Sequence, residues 1–147
     1  MRTLLARHHV PAAMDDIYVA LLMSTDLVTA TPETLVEDAA RLLLEDDIGS
    51  LPVVDADNDL VGILTTTDFV TIVAHSEPKA ETTVERYMTT DVVTATAQED
   101  IRDAADRMLV NDCHHLPVVD DEEGLIGMIS TADLTQYLSH VETPSPA

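Results

Sequence analysis

The chain has 147 residues, 46% of them hydrophobic, and carries seven Lys and Arg against twenty-eight Asp and Glu, for a formal charge of −21. That is room for one ordinary domain with an aliphatic core. The negative excess repels a phosphate backbone, and with no Trp, the single Phe69 and three Tyr, platforms for stacking bases are nearly absent, so nucleic acid is not an expected partner. The acidic residues run through both halves and Lys79 is the sole lysine, a balance suited to a salt-rich, halophilic cytoplasm, where the screening length falls to roughly 3 Å near 1 M salt. One cysteine, Cys113, rules out an internal disulfide and fits a reducing compartment. No run reaches the roughly eighteen apolar residues of a membrane span. Leu4-Leu5-Ala6 is cut off by Arg7-His8-His9, too short for a signal-peptide core. A cytoplasmic protein without a membrane partner is the expectation.

In chain order, residues 1–11 read as a flexible arm ending at Pro11, and Ala12 to Met23 as a helix-compatible stretch. Val28-Thr29-Ala30 is a short strand candidate. Thr34-Leu35-Val36-Glu37 has the form of a capping box, and Val36, Ala39, Ala40, Leu43 and Leu44 then line one helix face. Strands over Leu51–Val54 and Leu60–Leu64 flank a short polar loop, Asp55 to Asp59, and a helix begins near Thr66. A connection over residues 74–83, containing Pro78, leads into the second half.

There the pattern returns sixty-five residues on: Leu51-Pro52-Val53-Val54-Asp55 as Leu116-Pro117-Val118-Val119-Asp120, Gly62 as Gly127, Asp68 as Asp133 and Met23 as Met88. The helix face returns as Ile101, Ala104, Ala105, Met108 and Leu109, followed by strands over Leu116–Val119 and Leu125–Ile129 and a helix near Thr131. The organisation is thus repeat one over 12–76, repeat two over 77–140 and a disordered tail over 141–147. Each repeat reads strand, helix, strand, strand, helix, an α+β fold with a pseudo-twofold axis. Units this short bury too little area to stand alone, so the halves are expected to share one core, and any site between them to come in pairs.

The pattern that could carry chemistry is Gly62-Ile63-Leu64-Thr65-Thr66-Thr67-Asp68, echoed by Gly127-Met128-Ile129-Ser130-Thr131-Ala132-Asp133. A strand ends at a hydroxyl residue and a carboxylate follows three positions later, in the first helical turn. Two readings are open. Thr65 with Asp68, and Ser130 with Asp133, can be N-cap pairs that satisfy the first amides of the helix. The same helix start can also hold phosphate oxygens, with the carboxylate accepting the two hydroxyls of a ribose.

The Leu-Pro-Val-Val-Asp strand, the Leu-Val-Gly strand and the Gly-x-x-Thr-x-x-Asp ending, in that order in both halves, resemble the CBS-domain family, named after cystathionine β-synthase. Two tandem copies resemble a stand-alone Bateman module, over roughly Ala12 to His140. Gly62 to Phe69 is also similar to the adenine-nucleotide-sensing γ subunits of AMP-activated kinase.

The resemblance implies a non-catalytic regulatory module that binds an adenosine-containing ligand (AMP, ADP, ATP or S-adenosylmethionine) between the repeats and signals to a regulated protein. It implies that Asp68 and Asp133 hold ribose, and that Thr65, Thr67 and Ser130 face phosphate or the nucleotide tail. Ile48, Gly49, Ser50, Leu51 and Pro52, with His114, His115, Leu116 and Pro117, match the segments flanking the base. Thr29, Thr31 and Pro32, with Thr94 and Thr96, match the first-strand segment lining the same cleft. In the second copy Ala132 replaces Thr67 and Ala97 replaces Pro32. Basic residues near the motifs are few, with His114, His115, Arg86 and Lys79 the candidates, so the expected ligand is AMP or S-adenosylmethionine rather than a polyphosphate. Family members often pair into flat homodimers, and the helices near Phe69–Val73 and Leu134–Leu138 would supply that contact.

Other signals read as structural. Adjacent side chains of Cys113-His114-His115 point to opposite faces of a strand, which disfavours a shared metal. Asp55-Ala56-Asp57-Asn58-Asp59 opens like an EF-hand loop, but Leu60 stands where Gly is needed and Thr66 where Glu is needed, so no metal site is expected. The alternatives to a ligand sensor are a structural or dimerisation adaptor with an empty cleft and a small metal-dependent phosphohydrolase. No base, nucleophile and oxyanion donor can be assembled for the latter.

Overall fold

The computed structural model describes residues 17–75 and 81–142. The expected arm, the start of the first helical stretch, residues 76–80 of the connection, Lys79 among them, and residues 143–147 lie outside the described residues, whereas residues 141 and 142, expected in the tail, continue the last helix. Helices α1 (Val19–Leu22), α2 (Val36–Glu45), α3 (Thr66–His75), α4 (Ile101–Asn111) and α5 (Thr131–Glu142) alternate with strands β1 (Ser50–Val54), β2 (Leu60–Thr65), β3 (His115–Asp120) and β4 (Gly124–Ser130). A 3₁₀ turn spans Val84–Arg86, sixty-five residues from Val19–Leu21. Each repeat holds an antiparallel hairpin, β1 with β2 and β3 with β4, with a register shift at Val53/Val54 and at Val118/Val119.

The first-strand segments contribute only a parallel bridge each, Ala30 to Val53 and Ala95 to Val118. The Ala30 amide donates to the Pro52 carbonyl (3.0 Å) and its carbonyl accepts from the Val54 amide (2.9 Å), while Ala95 does the same with Pro117 and Val119. The ladder stops there because Pro52 and Pro117 have no N–H to extend it, and Thr31 turns the chain at once, its carbonyl accepting from the Thr34 amide.

The capping box expected at Thr34–Glu37 does not form. Leu35 occupies the cap with no side-chain bond. The Thr34 hydroxyl instead accepts from the Thr31 amide (3.0 Å), and the Val36 amide is satisfied by the Thr82 carbonyl from the segment leading into repeat two. In the second copy Asp100 does cap, its Oδ1 accepting from the Arg102 amide at 2.7 Å. On α2 and α4 the buried faces are Val36, Ala39 and Leu43, and Ile101, Ala104 and Met108. Leu44 and Leu109, expected in those faces, are 81% and 80% exposed, because the eighth position past Val36 or Ile101 lies about 80° round the helix from it, beyond the stripe that meets the sheet.

The halves do not share one core. Two clusters form, each completed by the segment that leads into the other repeat. Val19, fully buried, sits among Ala95, Ile101, Met108, Leu116 and Ile129, whereas Val84, equally buried, sits among Ala39, Leu43, Leu51, Val53 and Leu64. Backbone bonds hold the exchange. The Val19 amide donates to the Glu99 carbonyl (2.9 Å) and the Ile101 amide to the Ile17 carbonyl (3.0 Å), mirrored by Val84 to Thr34 (2.8 Å) and Val36 to Thr82 (2.9 Å). Each leading segment then adds a bridge to the far edge of the other hairpin, Ser24 to Met128 and Thr89 to Ile63. Gly127 and Gly62 permit the approach: a Cβ there would fall 2.5 Å from Met23 Sδ and 2.6 Å from Met88 Sδ.

Candidate functional site

This exchange creates two clefts whose walls correspond under the shift of sixty-five residues. The first, of about 310 Å³, takes Ser130, Ala132 and Asp133 from the β4–α5 junction of repeat two. Facing them are Asp26, Leu27 and Val28 from the leading segment and Asp47 to Ser50 and Pro52 from repeat one. The second, of about 380 Å³, takes Ile63, Thr65, Thr66 and Thr67 from the β2–α3 junction, facing Asp91 to Val93 and Asp112 to His115 of repeat two. Both volumes lie at the lower end of the range for small-molecule sites. Apolar Val28 and Ile48, and Val92 and Val93, offer walls to a flat ring, with hydroxyls and carboxylates at the helix starts.

The two carboxylates of the repeated motif take the first of the two roles left open by the sequence, the fastening of a helix start. Asp68 Oδ2 accepts from the Thr65 amide (2.8 Å) and hydroxyl (3.3 Å), and Asp133 Oδ2 accepts from the Ser130 amide (2.8 Å) and hydroxyl (3.1 Å). The Ser130 hydroxyl in turn accepts from the Asp133 amide at 3.2 Å. One oxygen of each therefore fastens a helix start. No described residue donates to the other oxygen, and Asp133 is on the wall of the first cleft. Asp68 is half-buried beside Thr65 and Thr67 but not on the wall of the second cleft, so the two halves are not equivalent here.

Of the residues singled out in the sequence, Ile48, Gly49, Ser50, Pro52, His115, Ser130 and Asp133 meet in the first cleft, and Gly49, Thr65, Thr67, His114 and His115 in the second. The rest lie elsewhere. Leu51 and Leu116 are fully buried core, and Pro117 is buried in β3. Thr29 precedes the Ala30 bridge, Thr31 and Pro32 form the turn after it, and the Thr96 amide donates to Glu99 Oε1 (2.8 Å) in the matching turn. Thr94 faces a separate hollow beside Asp59 and Asp120, and its carbonyl accepts from Arg107 Nη1. Sequence reasoning missed Asp26 and Val28, with Asp91 and Val93, although the repeat itself pointed to them: Met23-x-x-Asp26-x-Val28 returns as Met88-x-x-Asp91-x-Val93.

The clefts are acidic. Asp26, Asp47 and Asp133 line the first, Asp91 and Asp112 the second, and among the described residues no Lys or Arg is on either wall. Asp47 and Asp112 turn the chain out of α2 and α4 in the left-handed region, each at φ 52°, a conformation Asp tolerates better than most residues. Arg86, exposed in the 3₁₀ turn, is on neither wall. Half-burial and the neighbouring His114 hold the His115 imidazole below its ordinary pKa, with Asp133 opposing them, and burial raises the Cys113 thiol. The buried Ser50 hydroxyl, 5% exposed, also lines the first cleft, and no described group bonds to its side chain. In the hairpin loop, Asp55 Oδ1 accepts from the amides of Asp57 and Asp59 (2.9 and 3.0 Å), a local turn that brings three carboxylates within 4.8 Å of one another.

A family model described as CBS domain matches residues 15–75 and again 84–140. The chain is 36% identical over 125 residues to an uncharacterized 17.7 kDa protein of Acidianus ambivalens, covering 85% of this chain and 75% of that one. It is 34% identical over 121 residues to a homoserine O-acetyltransferase of Methanohalobium evestigatum, covering 82% of this chain but only 24% of the enzyme. Among solved structures, the CBS domain pair of protein MJ0100 in complex with 5′-methylthioadenosine and S-adenosyl-L-methionine superposes with a TM-score of 0.77 at 28% identity, over 86% of this chain and 98% of that one. CBSX2 in complex with AMP gives 0.75 at 26% identity, over 85% and 98%. Two matches to one family description, two hairpins in repeated register and paired clefts place this chain in the CBS-domain family, as a tandem CBS pair of α+β fold.

Proposed function

We propose that the chain is a non-catalytic regulatory module that holds an adenosine-containing ligand of low negative charge, AMP or S-adenosylmethionine, in the clefts between its repeats. The observation that carries this is the Asp133 carboxylate, with one oxygen fixed by the Ser130 amide and the other unengaged by any described residue, on the wall of a cleft where no described Lys or Arg stands. A free carboxylate oxygen accepts ribose hydroxyls, the apolar walls suit a purine, and the acidic surroundings disfavour a triphosphate. Neighbours described as holding AMP, or S-adenosylmethionine with methylthioadenosine, support the choice of ligand class.

Occupancy would bridge the repeats, because each cleft draws on both, and so bias their arrangement or the contacts of a regulated partner; this needs unequal ligand affinity for the two states. The module would pair with a second copy through exposed apolar positions repeated at matching places, Val73 with Leu138 and Leu44 with Leu109. Calorimetric titration with AMP, ADP, ATP and S-adenosylmethionine in molar KCl tests the ligand. Tightest binding by AMP or S-adenosylmethionine is expected, and far tighter ATP binding overturns the charge argument. Light scattering at high salt reads the pairing, for which a strict monomer is the contrary result. An adaptor with an empty cleft would show no rise in melting temperature with any adenosine compound.

A further inference from the structure

One side chain faces both clefts. His115 stands on the wall of the first beside Ser50 and Asp133, and on the wall of the second beside His114. It can do so because the halves differ at this point: where repeat two has His114-His115, repeat one has Gly49-Ser50. The imidazole lies over Gly49, where a Cβ would come within 3.4 Å of Cε1 and 3.7 Å of Nε2. Gly49 is likewise common to both walls, so a small residue from one half and a ring from the other form the partition between the sites.

The charged and titratable groups around the partition are Asp26, Asp47 and Asp133 in the first cleft, and Asp91, Asp112, Cys113 and His114 in the second. An anionic ligand entering either cleft meets carboxylates and, as the one neutral group common to both walls that can become a cation, His115. A phosphate near an imidazole favours its charged form, and the proton comes from solvent. We propose that His115 is the charge-selecting residue of both clefts: it takes up a proton when a nucleoside monophosphate binds in either, and remains neutral when an uncharged nucleoside binds. The ligand charge in one cleft then sets the charge presented to the other. An anion in the first favours an anion in the second and disfavours a sulfonium there, and the coupling is reciprocal. Burial and His114 support this by keeping the ring neutral in the empty protein, so that the proton is taken up on binding.

This proposal rests on the adenosine reading, and its test separates the two. AMP and adenosine are titrated calorimetrically between pH 6 and 8, each in two buffers of different ionisation enthalpy. For AMP the heat is expected to depend on the buffer, in the sense of proton uptake, and affinity is expected to fall by at most about tenfold per pH unit. For adenosine neither is expected. The phosphate itself titrates near pH 6, so His115→Gln supplies the background: proton uptake on binding AMP should drop to the phosphate contribution. His115→Arg, a fixed cation, should bind AMP without that pH dependence, and His114→Gln should retain the uptake. Asp133→Ala, which disables the first cleft, should still take up a proton on binding AMP in the second. Adenosine binding with uptake unchanged in His115→Gln overturns the role of His115 alone, and loss of uptake in Asp133→Ala overturns its being shared. Failure of both probes to bind the unaltered protein overturns the adenosine reading and this proposal with it.

Discussion

Asp133 has two oxygens with two employments, and substitutions should separate them. Asp133→Ala removes the acceptor for the Ser130 amide as well as the cleft-facing oxygen, so it should cost about 1 kcal/mol of stability, the worth of a helix cap, and weaken adenosine binding at least about tenfold. Asp133→Asn retains an acceptor for the cap but loses the charge, so its melting temperature should stay near the original while affinity falls. Denaturant unfolding and calorimetry on the two variants read the difference. Asp68→Ala also carries a stability cost of about 1 kcal/mol, since Asp68 holds the Thr65 amide at 2.8 Å. His115 adds a pH dependence of its own. Its folded pKa lies below the ordinary 6.5, so between the two values the unfolded chain binds more protons than the folded one and stability rises with pH. Unfolding free energy should therefore decline as pH is lowered from 7 through the region beneath 6.5, and His115→Gln should flatten that part of the curve. Glu99 acts lower on the scale. Its bidentate pairing with Arg107 (2.8 and 2.9 Å) depresses its carboxyl, a contribution present above its ordinary value near 4.5 and lost as pH falls through the lowered one.

At the level of elements, the contact that makes the clefts is the crossing of each leading segment onto the other repeat. Gly62 sits under Met88 and Thr89, and Gly127 under Met23 and Ser24, with space for a hydrogen and no more. Gly62→Ala should destabilise the protein by about 1–3 kcal/mol, the usual cost of overpacking. Adding Met88→Ala should recover part of this, because the nearest atoms to the new methyl are Met88 Sδ and Cγ (2.6 and 2.8 Å), while the Thr89 carbonyl at 3.0 Å remains. A full double-mutant cycle by chemical denaturation checks the coupling, and simple additivity would mean that Met88 is not what opposes the methyl. A second inter-repeat contact is one-sided: the Asn58 side-chain amide donates to the carbonyls of Glu123 and Leu125 (both 2.9 Å), and Gly124, at φ +79°, lies against the Asn58 carbonyl. The hairpin loops thus dock on each other at the end where the Asn58–Gly124 pairing permits left-handed backbone.

For the whole molecule, a formal charge of −21 on 147 residues makes self-repulsion the term most open to solvent control. Raising KCl from about 0.1 to about 2 M should raise the melting temperature, since the screening length shrinks from roughly 10 Å to below 3 Å. A melting temperature independent of salt would mean that the carboxylates are too well spaced or solvated to oppose one another. No helix among the described residues is long and apolar enough to cross a membrane. Among the described residues the exposed large apolar side chains include two pairs related by the internal repeat, Leu44 with Leu109 and Val73 with Leu138, beside Tyr18, Leu21, Val70 and Val110, which have no such counterpart.

The residue pattern alone yields the repeat, the α+β order of elements, both hairpins to within a residue or two, and the helix-start motif around Asp68 and Asp133, because these depend on local periodicity and on residues that recur at a fixed spacing. It could not show that the halves keep separate cores completed by exchanged segments, nor that Val28 and Val93 rather than Thr31 and Thr96 reach the clefts. Those outcomes hang on which backbone groups find partners across a long chain separation: the Val36 amide takes the Thr82 carbonyl in place of its own capping box, and the proline in each inner strand halts the first-strand ladder after one residue. The position of His115 between the two sites has the same origin. Nothing local to His115 distinguishes it from His114, and only the approach of Gly49 from the other half leaves the ring a wall in common to both clefts.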